Sequence, residues 1–437
     1  MVMVVRCTHS AVRALISLFL LALSTSAQEM SNLERSQALD MLQVVANDVR
    51  KHYYDPKLHG VQWDATVAKA KQQIAATNSM NMAISYIAAA VDSLNDSHTT
   101  FFPPERLHRY YYGWRYQMIG DRCYVTHIRP NTDADRKGIK SGDEVLTING
   151  ILPDRNSLWK MEYVLETLRP QSSLKLLLQV PPEGHSHEVE VTADVTMRKR
   201  PNDLAYVPER EEEEDARQMR AHEARVGDDL VILKLPYFAF SNAEIAGMIA
   251  RTRDRKSLIL DLRGDPGGSA DTLKYLVGAL FDRDVKIADR VMRKDTKPFE
   301  AKPQHNVFTG KLIVLIDSES ASASELLARV VQLEKRGIVL GDHSAESVME
   351  AKYYSNQLGS SLALFYGEDI SDADLIMTDG KSLEHVGVTP DEFMLPTQAD
   401  LVNGRDPVLA RAAELAGVKL SPEAAGKLFP YEWPSRD

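Results

Sequence analysis

Leu312-Ile313-Val314-Leu315-Ile316-Asp317-Ser318-Glu319-Ser320-Ala321-Ser322-Ala323-Ser324-Glu325-Leu326-Leu327 is the stretch on which the fold of this 437-residue chain turns. Its opening apolar run suits a strand covered on both faces. Ala323, Leu326, Leu327, Val330 and Val331 then recur on one face of a helix. A buried strand therefore turns directly into an amphipathic helix, and Ser322 stands at the turn. Free backbone N–H groups and the helix dipole favour negative charge there. That suits a nucleophile whose attack creates an oxyanion. The same spacing, Ser322-x-x-Glu325, is also a capping box, in which the serine only closes the helix start. On this segment alone both readings stand.

Working outward, Leu230 to Leu235 and Ser257 to Leu262 are further buried-strand runs. The second leads through Asp261-Leu262-Arg263-Gly264-Asp265-Pro266-Gly267-Gly268 into another helical face: Leu273, Leu276, Val277, Leu280 and Phe281. Strands alternating with helices imply an α/β core, placed at 230–400, with a helical tail at 401–437 packed on it. Paired glycines let a backbone approach a substrate closely and present N–H donors. The plain alternative is a strand-to-helix turn needing glycine at strained positions. No Gly-Lys-Ser/Thr follows, which sets aside a phosphate-binding loop.

Towards the N-terminus, Arg6 and Arg13 precede an apolar run from Ala14 to Leu23, with Thr25, Ser26 and Ala27 after it. This order predicts a signal peptide over 1–27 and an exported chain, periplasmic or extracellular. The run is too short for a stable membrane span. Cys7 falls inside the expected leader, so Cys123 remains alone and no internal disulfide is expected. A helical period over Leu39, Leu42, Val45 and Val49, then Ile84, Ile87, Ala88 and Val91, predicts a helical domain over 28–108. From 109 to 200 the period becomes two, with strands at Cys123–Ile128, Glu144–Ile148, Leu174–Val180 and Glu188–Val195, and a turn at Asn149-Gly150. Residues 201–229, with the acidic block Glu211–Asp215, read as a charged linker. The formal charge of -10 argues against a nucleic-acid partner. Nothing has a trustworthy metal-ligand spacing, His185-Ser186-His187 included, and no cofactor is implied.

Two polar loops complete the candidates. Leu94-Asn95-Asp96-Ser97-His98-Thr99-Thr100 offers an imidazole suited to general-base work at neutral pH. Gly380-Lys381-Ser382-Leu383-Glu384-His385-Val386-Gly387 offers Glu384 to orient an imidazole. Taken singly, each is also an ordinary solvated loop.

Together these segments resemble the tail-specific, or C-terminal-processing, peptidases of family S41 and their tricorn-core relatives. The resemblance runs over nearly the whole chain after the leader. It implies a ClpP/crotonase-like α/β core and a serine endopeptidase acting on exported polypeptides, with Ser322 as nucleophile. The oxyanion donors it implies are the N–H of Ala323 and that of Gly267 or Gly268. One departure matters. The processing peptidases carry a lysine base after the next strand. Here the segment reads Gly341-Asp342-His343-Ser344-Ala345-Glu346-Ser347-Val348; Ser347 stands in the lysine's place, and Lys352 comes five positions later. The tricorn-like branch implies another solution, in which Ser97-His98 and Glu384 complete a triad with Ser322. His343 is a competing base.

Lys137 to Gly150 resembles a PDZ domain, which adds a peptide as a strand to its sheet. The peptide-end loop is placed at Met118-Ile119-Gly120, although Asp121 beside it opposes a carboxylate. An inhibitory lid is the other role open to the module. A catalytically degenerate binding protein is the rival to a peptidase. An acyl-CoA role on the same core is the third reading, and both the leader and the PDZ-like module oppose it. Homo-oligomerisation is left open.

Overall fold

The computed structural model describes residues 29–181, 184–197, 220–359 and 364–433. The expected leader and most of the expected linker, its acidic block included, lie outside them. The chain divides into two compact units, the first built from the chain up to Glu105, Asn156–Pro170 and Ala351–Ser371, the second from the remainder. Among the described residues no helix is long and apolar enough to cross a membrane.

In the first unit, helices Asn32–His52, Trp63–Ala76 and Met80–Asp92 meet along the faces the period picked out. Leu42, Val45, Val49, Ile84, Ile87 and Val91 are all buried in one cluster. The first helix opens on a complete capping box, Ser31 with Glu34. Thr100–Phe102 then pairs antiparallel with Gly367–Asp369 of the strand Leu364–Met377.

Two sheets of different character dominate the second unit. The first is five-stranded and antiparallel, in the order Trp114–Ile119, Arg122–Ile128, Glu144–Ile148, Ser173–Val180, His185–Thr192. Trp114, Tyr116 and Met118 point into its core, while Arg115 and Gln117 point away. Asn149 and Gly150, both at positive φ, make the expected tight turn.

The other sheet is six-stranded: Glu392–Phe393, Gly337–Gly341, Lys311–Ile316, Ser257–Asp261, Leu230–Lys234 and His222–Val226. All neighbours are parallel except the last pair. Leu312, Val314 and Ile316 face the helices Ala270–Leu280 and Ala323–Leu333. Ile313 and Leu315 face the tail helix Pro407–Leu415. Both faces are covered, which is why the strands read as unbroken apolar runs. The expected linker is corrected at its end: His222–Val226 is an edge strand, turned back on Leu230–Lys234. The Asp261–Gly268 and Asp317–Ser322 segments leave the carboxyl ends of neighbouring parallel strands, where open α/β sheets place their sites.

Candidate active site

The three serines around the turn differ in burial. Ser320 is fully buried and its hydroxyl donates to the Leu262 carbonyl at 2.8 Å. Ser324 is equally buried and donates to the Asp265 carbonyl at 3.1 Å. Ser322 is only half-buried and sits at φ 55°, ψ −112°. A side chain rarely occupies that backbone region, and such strain gathers at functional turns.

The glycine loop lies directly against this turn. A Cβ on Gly267, at φ 96°, would fall 2.7 Å from Ser322 Cβ and 2.9 Å from the Ala323 nitrogen. Only glycine permits that approach. Gly267 donates its own N–H to Asp265 Oδ1 at 2.8 Å, so of the two expected glycine donors it is the one already spent inside the loop. Neither the Gly268 nor the Ala323 N–H has a backbone or side-chain acceptor among the described residues. Arg263 in the same motif is spent on structure, bound to the carboxylates of Asp261 and Asp406.

Asp265 is wholly buried, and its Oδ2 has no hydrogen-bond partner among the described residues. Burial pushes its carboxyl up to about 8, against the pull of the Gly267 donor. The fold therefore keeps a proton that the unfolded chain gives up in the ordinary carboxyl range. Stability falls as pH rises from that range towards 8. Asp265→Asn is expected to remove this loss, so its stability relative to the parent should climb between about pH 5 and about pH 8 in chemical denaturation. A difference that stays flat with pH would overturn the account.

Glu325 ties the turn to the segment where the resemblance implied a lysine. It is fully buried. Oε2 accepts the N–H of Ser322 at 2.9 Å and of Ser347 at 3.0 Å. Oε1 accepts the Ser344 hydroxyl at 2.5 Å and the Glu346 N–H at 3.0 Å. Burial pushes this carboxyl up to about 8 while the four donors pull it down. Ser347 also accepts the Ser322 N–H on its carbonyl, at 2.8 Å. Val348 N–H in turn donates to Glu384 Oε2 at 2.9 Å, and His385 Nε2 lies 3.4 Å from Glu384 Oε1. Ser322, Glu325, the 344–348 loop and Glu384 thus form one network. The Ser-x-x-Glu spacing pointed to Glu325 as a cap; its reach across to 344–347 is a tertiary feature without a local sequence pattern.

The candidate bases have surroundings of their own. His343 packs its ring edge-on to Phe393, centroids 4.7 Å apart, with Nδ1 3.3 Å from Thr389 Oγ1. Lys352 is exposed on a strand in the first unit. Ser97 and His98 also belong to the first unit. There Ser97 Oγ lies 2.8 Å from His98 Nδ1. Buried Asp96 holds the loop, accepting the His98 N–H at 2.9 Å, the Ser371 hydroxyl at 2.6 Å and the Tyr53 hydroxyl at 2.8 Å.

The expected peptide-end loop is occupied from within. Met118 and Ile119 end the strand Trp114–Ile119, and Gly120 opens the turn into Arg122–Ile128. Met118 accepts the Ser318 hydroxyl on its carbonyl at 2.6 Å, and the Gly120 N–H donates to Asp342 Oδ2 at 2.8 Å. Arg155 closes over the contact, 3.0 Å from the same Asp342 oxygen. An internal carboxylate thus stands where a peptide's was expected, and Gly120 has no second N–H to offer.

A strained serine at a strand-to-helix turn, with two backbone donors beside it, is the arrangement a serine-type hydrolase needs. Residues 229–393 match the model of peptidase family S41 and residues 105–179 that of the PDZ domain. The chain thus carries a domain similar to the S41 serine-type peptidases, with a PDZ domain ahead of it. It is 24% identical over 242 residues to the tail-specific protease of Haemophilus influenzae, covering 53% of this chain and 32% of that one. It is 25% identical over 367 residues to the chloroplastic carboxyl-terminal-processing peptidase 3 of Arabidopsis thaliana, covering 78% and 66%. The chain thus spans about a third of the one relative and just under two thirds of the other. Mature CPAF shares the fold at TM-score 0.65 and 16% identity, over 85% of this chain and 95% of that one. The photosystem II D1 C-terminal processing protease does so at 0.53 and 17%, over 90% and 99%.

Proposed function

We propose that this chain is a serine endopeptidase that cleaves exported polypeptides through a Ser322–His98–Glu384 triad. The observation that carries the reading is the sorting of the serines: Ser320 and Ser324 are buried on backbone carbonyls, and Ser322 alone is left partly open on a strained turn. In the proposed reaction Ser322 Oγ attacks the peptide carbonyl and His98 Nε2 takes its proton. Ser97 Oγ on Nδ1 fixes the ring, and the Glu384 carboxylate stabilises the imidazolium. The N–H groups of Gly268 and Ala323 receive the oxyanion. His98 then returns the proton to the leaving amine, and water releases the acyl group by the same steps in reverse. Export rests on the leader read at 1–27, and tail processing on the names of the relatives.

A fluorophosphonate probe tests this against the rival binding protein. The expected result is one phosphonyl adduct, mapped by mass spectrometry to Ser322. A folded chain that stays unlabelled would favour a degenerate, non-catalytic peptidase.

A further inference from the structure

The outer face of the hairpin Trp114–Ile128 carries a set of flat or cationic side chains that catalysis does not use. Arg115 and His127 are direct cross-strand partners, so both project from one face. Arg129 follows at the end of the second strand. The chain's own last described residues lie on them. Tyr431 stacks on the His127 ring, centroids 4.4 Å apart at 27°, with the Arg115 guanidinium 5.8 Å from its centroid. The Arg129 guanidinium is 6.0 Å from the Trp433 ring. The two aromatic rings meet edge-to-face at 4.9 Å. Glu432, between them, points the other way and ion-pairs with Arg220 at 2.9 Å. Side chains alternating in this way belong to an extended segment. Guanidinium groups and imidazole are suited to ring faces.

We propose that Arg115, His127 and Arg129 form a peptide-recognition surface for an extended segment with aromatic side chains at alternate positions, and that Tyr431–Trp433 occupies it in cis. These side chains are not those of the Met118–Gly120 segment, where the Gly120 N–H is held by Asp342. The surface adjoins the candidate active site: Arg115 pairs with Glu319 at 3.2 Å, three residues before Ser322.

The test is a binding measurement, independent of the catalytic reading. A fluorescein-labelled peptide with the sequence Leu428–Trp433 is titrated by anisotropy against the full chain and against its Tyr431→Ala/Trp433→Ala variant. A tethered segment acts at an effective concentration in the millimolar range, so vacating the surface is expected to tighten peptide binding about tenfold. Adding Arg115→Ala or Arg129→Ala to that variant is expected to weaken it again by about threefold to tenfold. Tyr431→Phe, which keeps the ring, is expected to behave as the parent. Equal affinity for parent and double variant, or indifference to both arginine substitutions, would overturn the proposal.

Discussion

Ser322→Ala is expected to lower peptidase activity by on the order of 10⁴-fold or more, with the fold intact. The alanine keeps the Cβ that rests against Gly267, and the backbone N–H remains held by Ser347 and Glu325. Only the attacking oxygen is removed. Ser322→Gly sharpens the test. At φ 55°, ψ −112° a glycine sits without the steric cost that any side chain meets there. The glycine variant is therefore expected to be as inactive as the alanine variant but more stable than it, by about 1 kcal/mol in chemical denaturation. Activity retained in Ser322→Ala would remove the nucleophile assignment. Equal stability of the two variants would remove the strain argument and leave the nucleophile untouched.

The core was legible in the sequence because a parallel sheet covered on both faces leaves unbroken apolar runs, and those at 230–235, 257–262 and 312–316 all became its strands. The strand Leu364–Met377 was not legible. Glu368, Asp369, Ser371, Asp372 and Asp374 interrupt it and read as a loop. Tertiary partners resolve part of that polarity: Asn356 donates to buried Glu368, and buried Ser371 donates to Asp96. His222–Val226 hid in a charged context for a related reason, since Glu223 is neutralised by Arg225 and by Arg251 from a helix. At the site, residue types and spacing marked Ser322, Glu325 and the glycine pair. Spacing did not show which donors were already spent. Gly267 N–H goes to Asp265 and Gly120 N–H to Asp342, both decided by three-dimensional contacts.

The loss of the lysine leaves the base to be assigned by experiment, and the expected outcome separates three side chains. His98→Ala is expected to lower kcat/KM by about 10² to 10⁴-fold, the usual worth of a positioned general base. It should slow fluorophosphonate labelling of Ser322 in parallel, because the probe needs the same activated oxygen. His343→Ala and Lys352→Ala are expected to stay within about twofold of the parent, as changes to groups that take no part in the proton transfer should. The surroundings of these side chains support that order. His343 is engaged by Phe393 and Thr389, and Lys352 is exposed on its strand. His98 instead sits on a loop whose backbone is fixed by buried Asp96, with its Nδ1 directed to Ser97. Such fixation holds the ring in one orientation, as a proton-transferring imidazole requires. The pH profile supplies the independent arm. A histidine base must be neutral to act, so kcat/KM is expected to fall as pH drops through the histidine range. A lysine base would place that fall several pH units higher. If His98→Ala keeps full activity and His343→Ala does not, the base belongs to the 341–348 segment, and Ser322 keeps its role with a different partner.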